Sequence, residues 1–282
     1  MEIRKVGVVG LGTMGAGIAQ ISVQSGFETV GREVSIDLAE RGRAIVEQYL
    51  SRAVEKGRST EAERDAAVGR LTLSTELADL ADCDLVIEAV LEELDLKREV
   101  FAELDRVTRP EAILATNTSA LSVAEIAEAT SHPERVVGMH FFNPAPVLPL
   151  VEIVRAPKSS EDAVDAAYTW AERAGKHPVR CNDTPGFIVN RILIPLLNDC
   201  VRVLDEANVR PEDMDRAMTN GAGWPMGPCA LVDLIGVDVH VHASDALHDK
   251  LGEPRMAPPE RLVRMQEEGR LGRKCGRGFF EY

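Results

Sequence analysis

"VGVVGLGTMGAG", residues 6–17, spaces three glycines as G-x-G-x-x-G: Gly10, Gly12 and Gly15. The spacing alone is common, and its meaning comes from what flanks it. Residues 4–10 read as a short buried strand, and Met14, Ile18, Ile21 and Val23 recur with helical spacing up to Gly26. Between a strand and a helix, the first glycine permits a tight turn. The second lets backbone approach a pyrophosphate, and the third allows close helix–strand packing. The helix N-terminus adds unpaired N–H groups and a positive dipole end. A dinucleotide is therefore expected against Gly10, Leu11, Gly12, Thr13, Met14 and Gly15. Eighteen residues beyond Gly15, Glu33 ends a second strand over 27–33, which Gly31 interrupts. A carboxylate there accepts from ribose hydroxyls and repels a 2′-phosphate, so NAD is expected over NADP. Arg32, beside it, could partly neutralise Glu33 or stack on adenine.

The alternation continues outward. Residues 36–69 predict two helices around a turn at 55–60, and strand candidates follow at 84–90, 112–117 and 135–141. That pattern predicts an α/β, Rossmann-like doubly wound parallel sheet with helices on both faces. After Pro185-Gly186 the strand signals fade and helical periodicity dominates. A boundary near 184 is expected, with a dinucleotide-binding domain over 1–184 and an all-α domain over 185–282. The apolar stretches "ILIPLL" (192–197) and "LVDLIGV" (231–237) call for a covering surface. A second copy, giving a homodimer through this domain, is the expected cover.

Composition narrows the function. A formal net charge of −14 over 282 residues disfavours nucleic acid as a partner. It also requires any anionic ligand to be held by local cations or backbone N–H groups. No apolar run reaches the length of a membrane span, and the chain starts directly into a strand pattern, so no targeting peptide and no membrane partner are expected. Five scattered cysteines without C-x-x-C spacing point to free thiols and a cytoplasmic location. His240, His242 and His248 resemble metal-ligand spacing. The first two fall on different helical faces and no fourth ligand is apparent, so no metal is expected.

"VVGMHFFNPAPVLPLVEIV", 136–154, sets an imidazole and a carboxylate where core side chains belong. Taken singly, His140 reads as a satisfied structural histidine and Glu152 as a strand-edge glutamate. Ligands in such sheets, however, bind beyond the carboxyl ends of the strands. "TNTS" (116–119), "HFFNP" (140–144) and the Glu152 segment are all expected there. A histidine facing a nicotinamide can exchange a proton with a hydroxyl while hydride leaves the same carbon. Glu152 would fix its tautomer.

"GLGTMGAGIAQ", "DLVIEAVLEELDLKREVF", "ATNTSALSV", "GMHFFNPAPVLPLVEIV", "DTPGFIVNRIL", "PMGP" and "GRKCGRGFFEY", in this order, resemble the L-3-hydroxyacyl-CoA dehydrogenase family from Val6 to Tyr282. Its short bacterial form, acting on 3-hydroxybutyryl-CoA, is the nearest likeness. The resemblance implies a catalytic set of His140, Glu152, Ser119 and Asn190. It implies Glu92, Lys97, Ser119, Asn143 and Lys274 at the cofactor. Ser119, Arg52, Lys56, Asn143 and Asn190 would serve an acyl-CoA substrate, the two cations on its phosphates. Plainer readings stand beside these. Ser119 could cap the helix starting at 120, Asn190 could be a polar helix-face residue, Lys97 a solvated lysine, and Arg52 and Lys56 a surface pair. A carrier-protein thioester in place of coenzyme A, a β-hydroxyacid-type dehydrogenase, and a non-catalytic NAD-binding structural or redox-sensing protein are the alternatives left open.

Overall fold

The computed structural model describes residues 2–282, which form two compact units divided between Thr184 and Pro185. In the first unit, β1 (Lys5–Val9), α1 (Thr13–Gln24) and β2 (Glu28–Arg32) form the opening β–α–β. Then come α2 (Ile36–Glu55), α3 (Glu61–Val68), β3 (Leu71–Ser74), β4 (Leu85–Glu88), α4 (Leu94–Val107) and β5 (Ile113–Thr116). α5 (Val123–Ala127), β6 (Val136–Phe141), β7 (Leu150–Arg155), α6 (Glu161–Arg173) and β8 (His177–Asn182) complete it. Local chemistry sets several helix starts: Ser35, Ser122 and Ser160 each cap a first turn, and Thr60 with Glu63 forms a capping box.

One eight-stranded sheet has the order β3-β2-β1-β4-β5-β6-β7-β8. Strands β4, β5 and β6 are buried at every residue, as expected for strands covered on both faces. The strand order reverses between β1 and β4, and the crevice at such a switch point is where dinucleotides bind. Trp170 of α6, 1 % exposed, packs against the rings of Phe27 and Phe141.

The sheet departs from the all-parallel expectation at one strand: β7 runs antiparallel to β6. Only residues 142–149 join them, whereas a parallel return needs a crossover of roughly a dozen residues or more. Glu152 therefore does not lie beyond the carboxyl end of a parallel strand. It sits inside β7, directly opposite His140.

The second unit holds α7 (Val189–Glu206), α8 (Pro211–Gly221), α9 (Pro228–Ile235), α10 (Val237–Leu251) and α11 (Glu260–Glu267). Leu197, Val201, Val232, Val237, Val241, Leu262 and Met265 form a core of its own. Asp233, 1 % exposed, accepts from the Phe279 and Phe280 N–H groups at 2.8 and 3.0 Å and so pins the C-terminal residues.

Candidate active site

The turn from β1 into α1 depends on its glycines. Gly10 has φ +88°, and a Cβ there would lie 2.9 Å from the Ala89 carbonyl oxygen. A Cβ at Gly15 would lie 1.7 Å from the Gly10 oxygen, so only glycine lets helix and strand approach this closely. A Cβ at Gly12 would meet nothing within 4 Å, and no side chain caps the helix that Gly12 begins. The first-turn N–H groups of α1 thus have no side-chain cap, which fits a pyrophosphate. Thr13 is exposed and Met14 half-buried at this mouth. Leu11 is buried, and a Cβ at Gly31 would come within 2.7 Å of it. The glycine interrupting β2 therefore makes room for Leu11, which has only its backbone to offer a ligand.

Glu33 follows β2, its Oε1 accepting from the Leu11 N–H at 2.6 Å. Arg32 turns away and donates from Nε to the Thr75 carbonyl at 3.1 Å. Among the described residues no ion pair joins Arg32 to Glu33, so Arg32 does not neutralise that carboxylate.

At the far side of the switch point, His140 Nδ1 lies 2.7 Å from Glu152 Oε2, with the side chains 4 % and 0 % exposed. β6 and β7 set this distance by placing the two residues in register. The Phe142 ring lies 4.5 Å from the imidazole, centroid to centroid, tilted by 53°. The Phe141 N–H donates to Asn117 Oδ1 at 3.0 Å, tying the end of β6 to the loop after β5. Asn143 is exposed just beyond.

Ser119 is exposed in the loop between β5 and α5. It does not cap α5: Ser122 does, accepting from the Glu125 N–H, and Asp183 accepts from the Ser122 hydroxyl and the Ala124 N–H, both at 2.8 Å. Glu92 holds the other end of the loop. Its Oε1 accepts from the Thr118 hydroxyl at 2.6 Å, the Ser119 N–H at 2.8 Å and the Ala120 N–H at 3.1 Å. Burial pushes the Glu92 carboxyl up, but Lys97 and these donors outweigh it and hold it below the usual range.

Lys97 is no solvated lysine. It is 1 % exposed, with its ammonium 2.6 Å from Glu88 and 3.4 Å from Glu92. Burial pushes Glu88 above the usual carboxylate range, further than Lys97, the Thr116 hydroxyl and the Val90 N–H pull it back.

The remaining sequence candidates fall on α2 and in the second unit. Arg52 and Lys56 are exposed at the end of α2, with no acidic partner among the described residues; Arg52 stands 6.0 Å from the Tyr49 ring centre. Asn190 opens α7 in the second unit, and Lys274, also there, pairs with Asp238 at 2.5 Å. His240 is buried, its Nε2 2.8 Å from Asn198 Oδ1, while His242 is exposed. Among the described residues no group of three or more His, Cys, Asp or Glu side chains is arranged to hold a metal.

Four residues around the site were not singled out from the sequence: Glu88, Asn117, Lys176 and Asp183. Glu88 carries the signal that marked Glu152, a carboxylate inside an apolar strand. Lys176, 7 % exposed, donates to the Ala145 and Leu148 carbonyls at 2.5 and 3.0 Å and so ties down the loop after Asn143. No local pattern marks Lys176, because both of its partners are backbone atoms distant in sequence.

A switch-point glycine turn, a carboxylate just beyond β2 and a buried histidine–carboxylate pair across β6 and β7 define an NAD-dependent oxidoreductase. Residues 5–184 match the family "3-hydroxyacyl-CoA dehydrogenase, NAD binding domain" and residues 186–282 match "3-hydroxyacyl-CoA dehydrogenase, C-terminal domain". The 3-hydroxybutyryl-CoA dehydrogenase of Mycobacterium tuberculosis is 47 % identical over 282 residues, covering 99 % of each chain. A probable 3-hydroxybutyryl-CoA dehydrogenase of Deinococcus radiodurans is 41 % identical over 99 % of this chain and 100 % of its own. The crystal structure of (S)-3-hydroxybutyryl-CoA dehydrogenase from Ralstonia eutropha superposes with a TM-score of 0.96 at 39 % identity, covering 100 % of this chain and 99 % of that one. The chain belongs to the 3-hydroxyacyl-CoA dehydrogenase family.

Proposed function

We propose that the protein interconverts (3S)-3-hydroxybutyryl-CoA and acetoacetyl-CoA with NAD(H), using His140 as general acid and base. The carrying observation is the buried His140–Glu152 pair, 2.7 Å apart across β6 and β7. When bound, NAD supplies the acceptor or donor of the hydride. Glu152 keeps the ring proton on Nδ1, which leaves Nε2 to take the hydroxyl proton as the alcohol is oxidised and to return it on reduction. Ser119, from a loop fixed by Glu92, and Asn190 bind the reacting oxygen and the thioester carbonyl. Asn143 lies at the junction of cofactor and substrate, and Arg52 and Lys56 take the coenzyme A phosphates. Glu92, Lys97 and Lys274 serve the cofactor, directly or through neighbours.

Residues 1–184 act as the NAD-binding domain and 185–282 as the domain for the substrate cleft and dimerisation. Ile192, Leu234 and Val239 are each about half exposed or more in that helical unit, at 62 %, 49 % and 50 %, which supports a covering second copy. A species of 30.7 kDa in sedimentation would count against the dimer.

The decisive assay follows NADH loss with acetoacetyl-CoA, then NAD reduction with each enantiomer of 3-hydroxybutyryl-CoA. Turnover of the S form only is expected. NADH binding without consumption would mark a non-catalytic dinucleotide-binding protein instead.

A further inference from the structure

One carboxylate at the strand ends is used neither by the glycine turn nor by the His140 pair. Glu88 closes β4 at 0 % exposure and accepts from the Val90 N–H at 2.7 Å, Lys97 Nζ at 2.6 Å and the Thr116 hydroxyl at 2.8 Å. These donors come from the loop after β4, from α4 and from the last residue of β5. Lys97 also reaches Glu92 at 3.4 Å, and Glu92 in turn receives the Ser119 and Ala120 N–H groups. A chain of charged contacts thus runs from the sheet interior to the backbone of the Ser119 loop.

The distances show which end is fixed. A buried ammonium needs a counter-charge, and a buried carboxylate needs donors. Glu88 meets both demands at hydrogen-bond distance, whereas Glu92, with a side chain 34 % exposed, lies farther from Lys97. Without Glu88, Lys97 would have only Glu92 to neutralise it and would draw that carboxylate inward, off the loop.

We propose that Glu88 is a positioning residue: it anchors Lys97 so that Glu92 stays on the Ser119 loop and holds it in its reactive placement. The inference rests on the reading of Ser119 as a substrate-side group, but the anchoring itself can be measured without turnover.

The test pairs amide hydrogen exchange of the ligand-free protein with steady-state kinetics of Glu88→Gln, Glu92→Gln and the double variant. Glu88→Gln keeps the side chain's size and removes its charge. Exchange at Ser119 and Ala120 should then speed up at least about tenfold, while the core of β5 and β6 stays protected. The ratio kcat/KM should fall on the order of ten- to hundred-fold, the scale of misplaced reacting groups. The double variant should be within about twofold of Glu92→Gln alone, because groups acting through one another are not additive. Wild-type exchange at 119–120, or fully multiplicative kinetic losses, would overturn the proposal and leave Glu88 a stabilising residue only. If Glu88→Gln does not fold, Thr116→Val decides. It removes one donor and no charge, so faster exchange confined to 117–122 supports the anchor and unchanged exchange refutes it. A wild-type protein inert toward acetoacetyl-CoA would sink the functional reading while leaving the exchange result standing.

Discussion

His140 and His240 are both buried, 4 % and 0 % exposed, yet their surroundings give them opposite tasks. His140 faces a carboxylate at 2.7 Å, which orients the ring. His140→Gln should lower kcat by about two to four orders of magnitude, the scale of a general acid/base, with the fold retained by circular dichroism. A loss of tenfold or less would make it a packing residue. Glu152→Gln should cost less, since it loosens the ring's placement without removing the base. His240 faces Asn198, which also donates to the Met256 carbonyl at 3.1 Å, while its Nδ1 has no partner among the described residues. Burial without a counter-charge pushes His240 down to about 4. With the folded value below the unfolded one near 6.5, the unfolded chain binds the proton first. The stability contributed by the neutral ring is therefore complete above about pH 6.5 and drains away as pH falls toward 4, by about 3 kcal/mol in all. Denaturant melts between pH 7 and 4.5 should show His240→Gln losing less stability than wild type. Equal losses would mean the ring is not held neutral.

At the scale of elements, the loop from β6 to β7 carries most of the consequence. Its residues 142–149 present Phe142 and Asn143, and Lys176, reaching over from the turn before β8, holds it through two carbonyls. Burial also lowers the Lys176 pKa, so its charge is retained against a desolvation cost for the sake of those bonds. Lys176→Met keeps the apolar stem and loses both bonds. The Michaelis constant for NADH should rise about tenfold, with chymotryptic cleavage appearing after Phe142; unchanged binding would show that the loop holds its own shape. Much of this architecture was legible in the sequence, and the gaps have physical reasons. Central strands β1, β4, β5 and β6 are mostly apolar because both of their faces are covered. The edge strands β3, "LTLS", and β8, "HPVRCN", present exposed residues and carry no such run, so they went unread. The reversal at β7 could have been read from the short connection. The His140–Glu152 partnership was expected on chemical need alone, and the register supplies the distance. Glu88 shares the oddity of Glu152, but its partner Lys97 reads in the sequence as an ordinary helix lysine.

For the whole molecule, charge poses the remaining problem: a chain of net charge −14 is proposed to bind a polyanionic thioester. The global field repels coenzyme A, but screening confines each charge's reach to roughly 8–10 Å at physiological salt, so the nearest cations dominate. Arg52 and Lys56 are exposed on the last turns of α2 and lack acidic partners among the described residues, which leaves their charge available. Two opposing salt effects follow. Added salt weakens the local attraction to the phosphates and also weakens the overall repulsion. In the wild type the local term should win, and the Michaelis constant for acetoacetyl-CoA should rise several-fold between about 0.05 and 0.5 M salt, where the Debye length shrinks past the size of the contact. In Arg52→Gln/Lys56→Gln only the repulsion remains, so the constant should start higher and fall as salt is added. The N-acetylcysteamine thioester, which lacks the phosphates, should show little salt dependence in either protein. A double variant with wild-type slope would place the phosphate contacts elsewhere on the surface, and equal slopes for both thioesters would show that the salt acts on the catalytic step and not on the coenzyme A end.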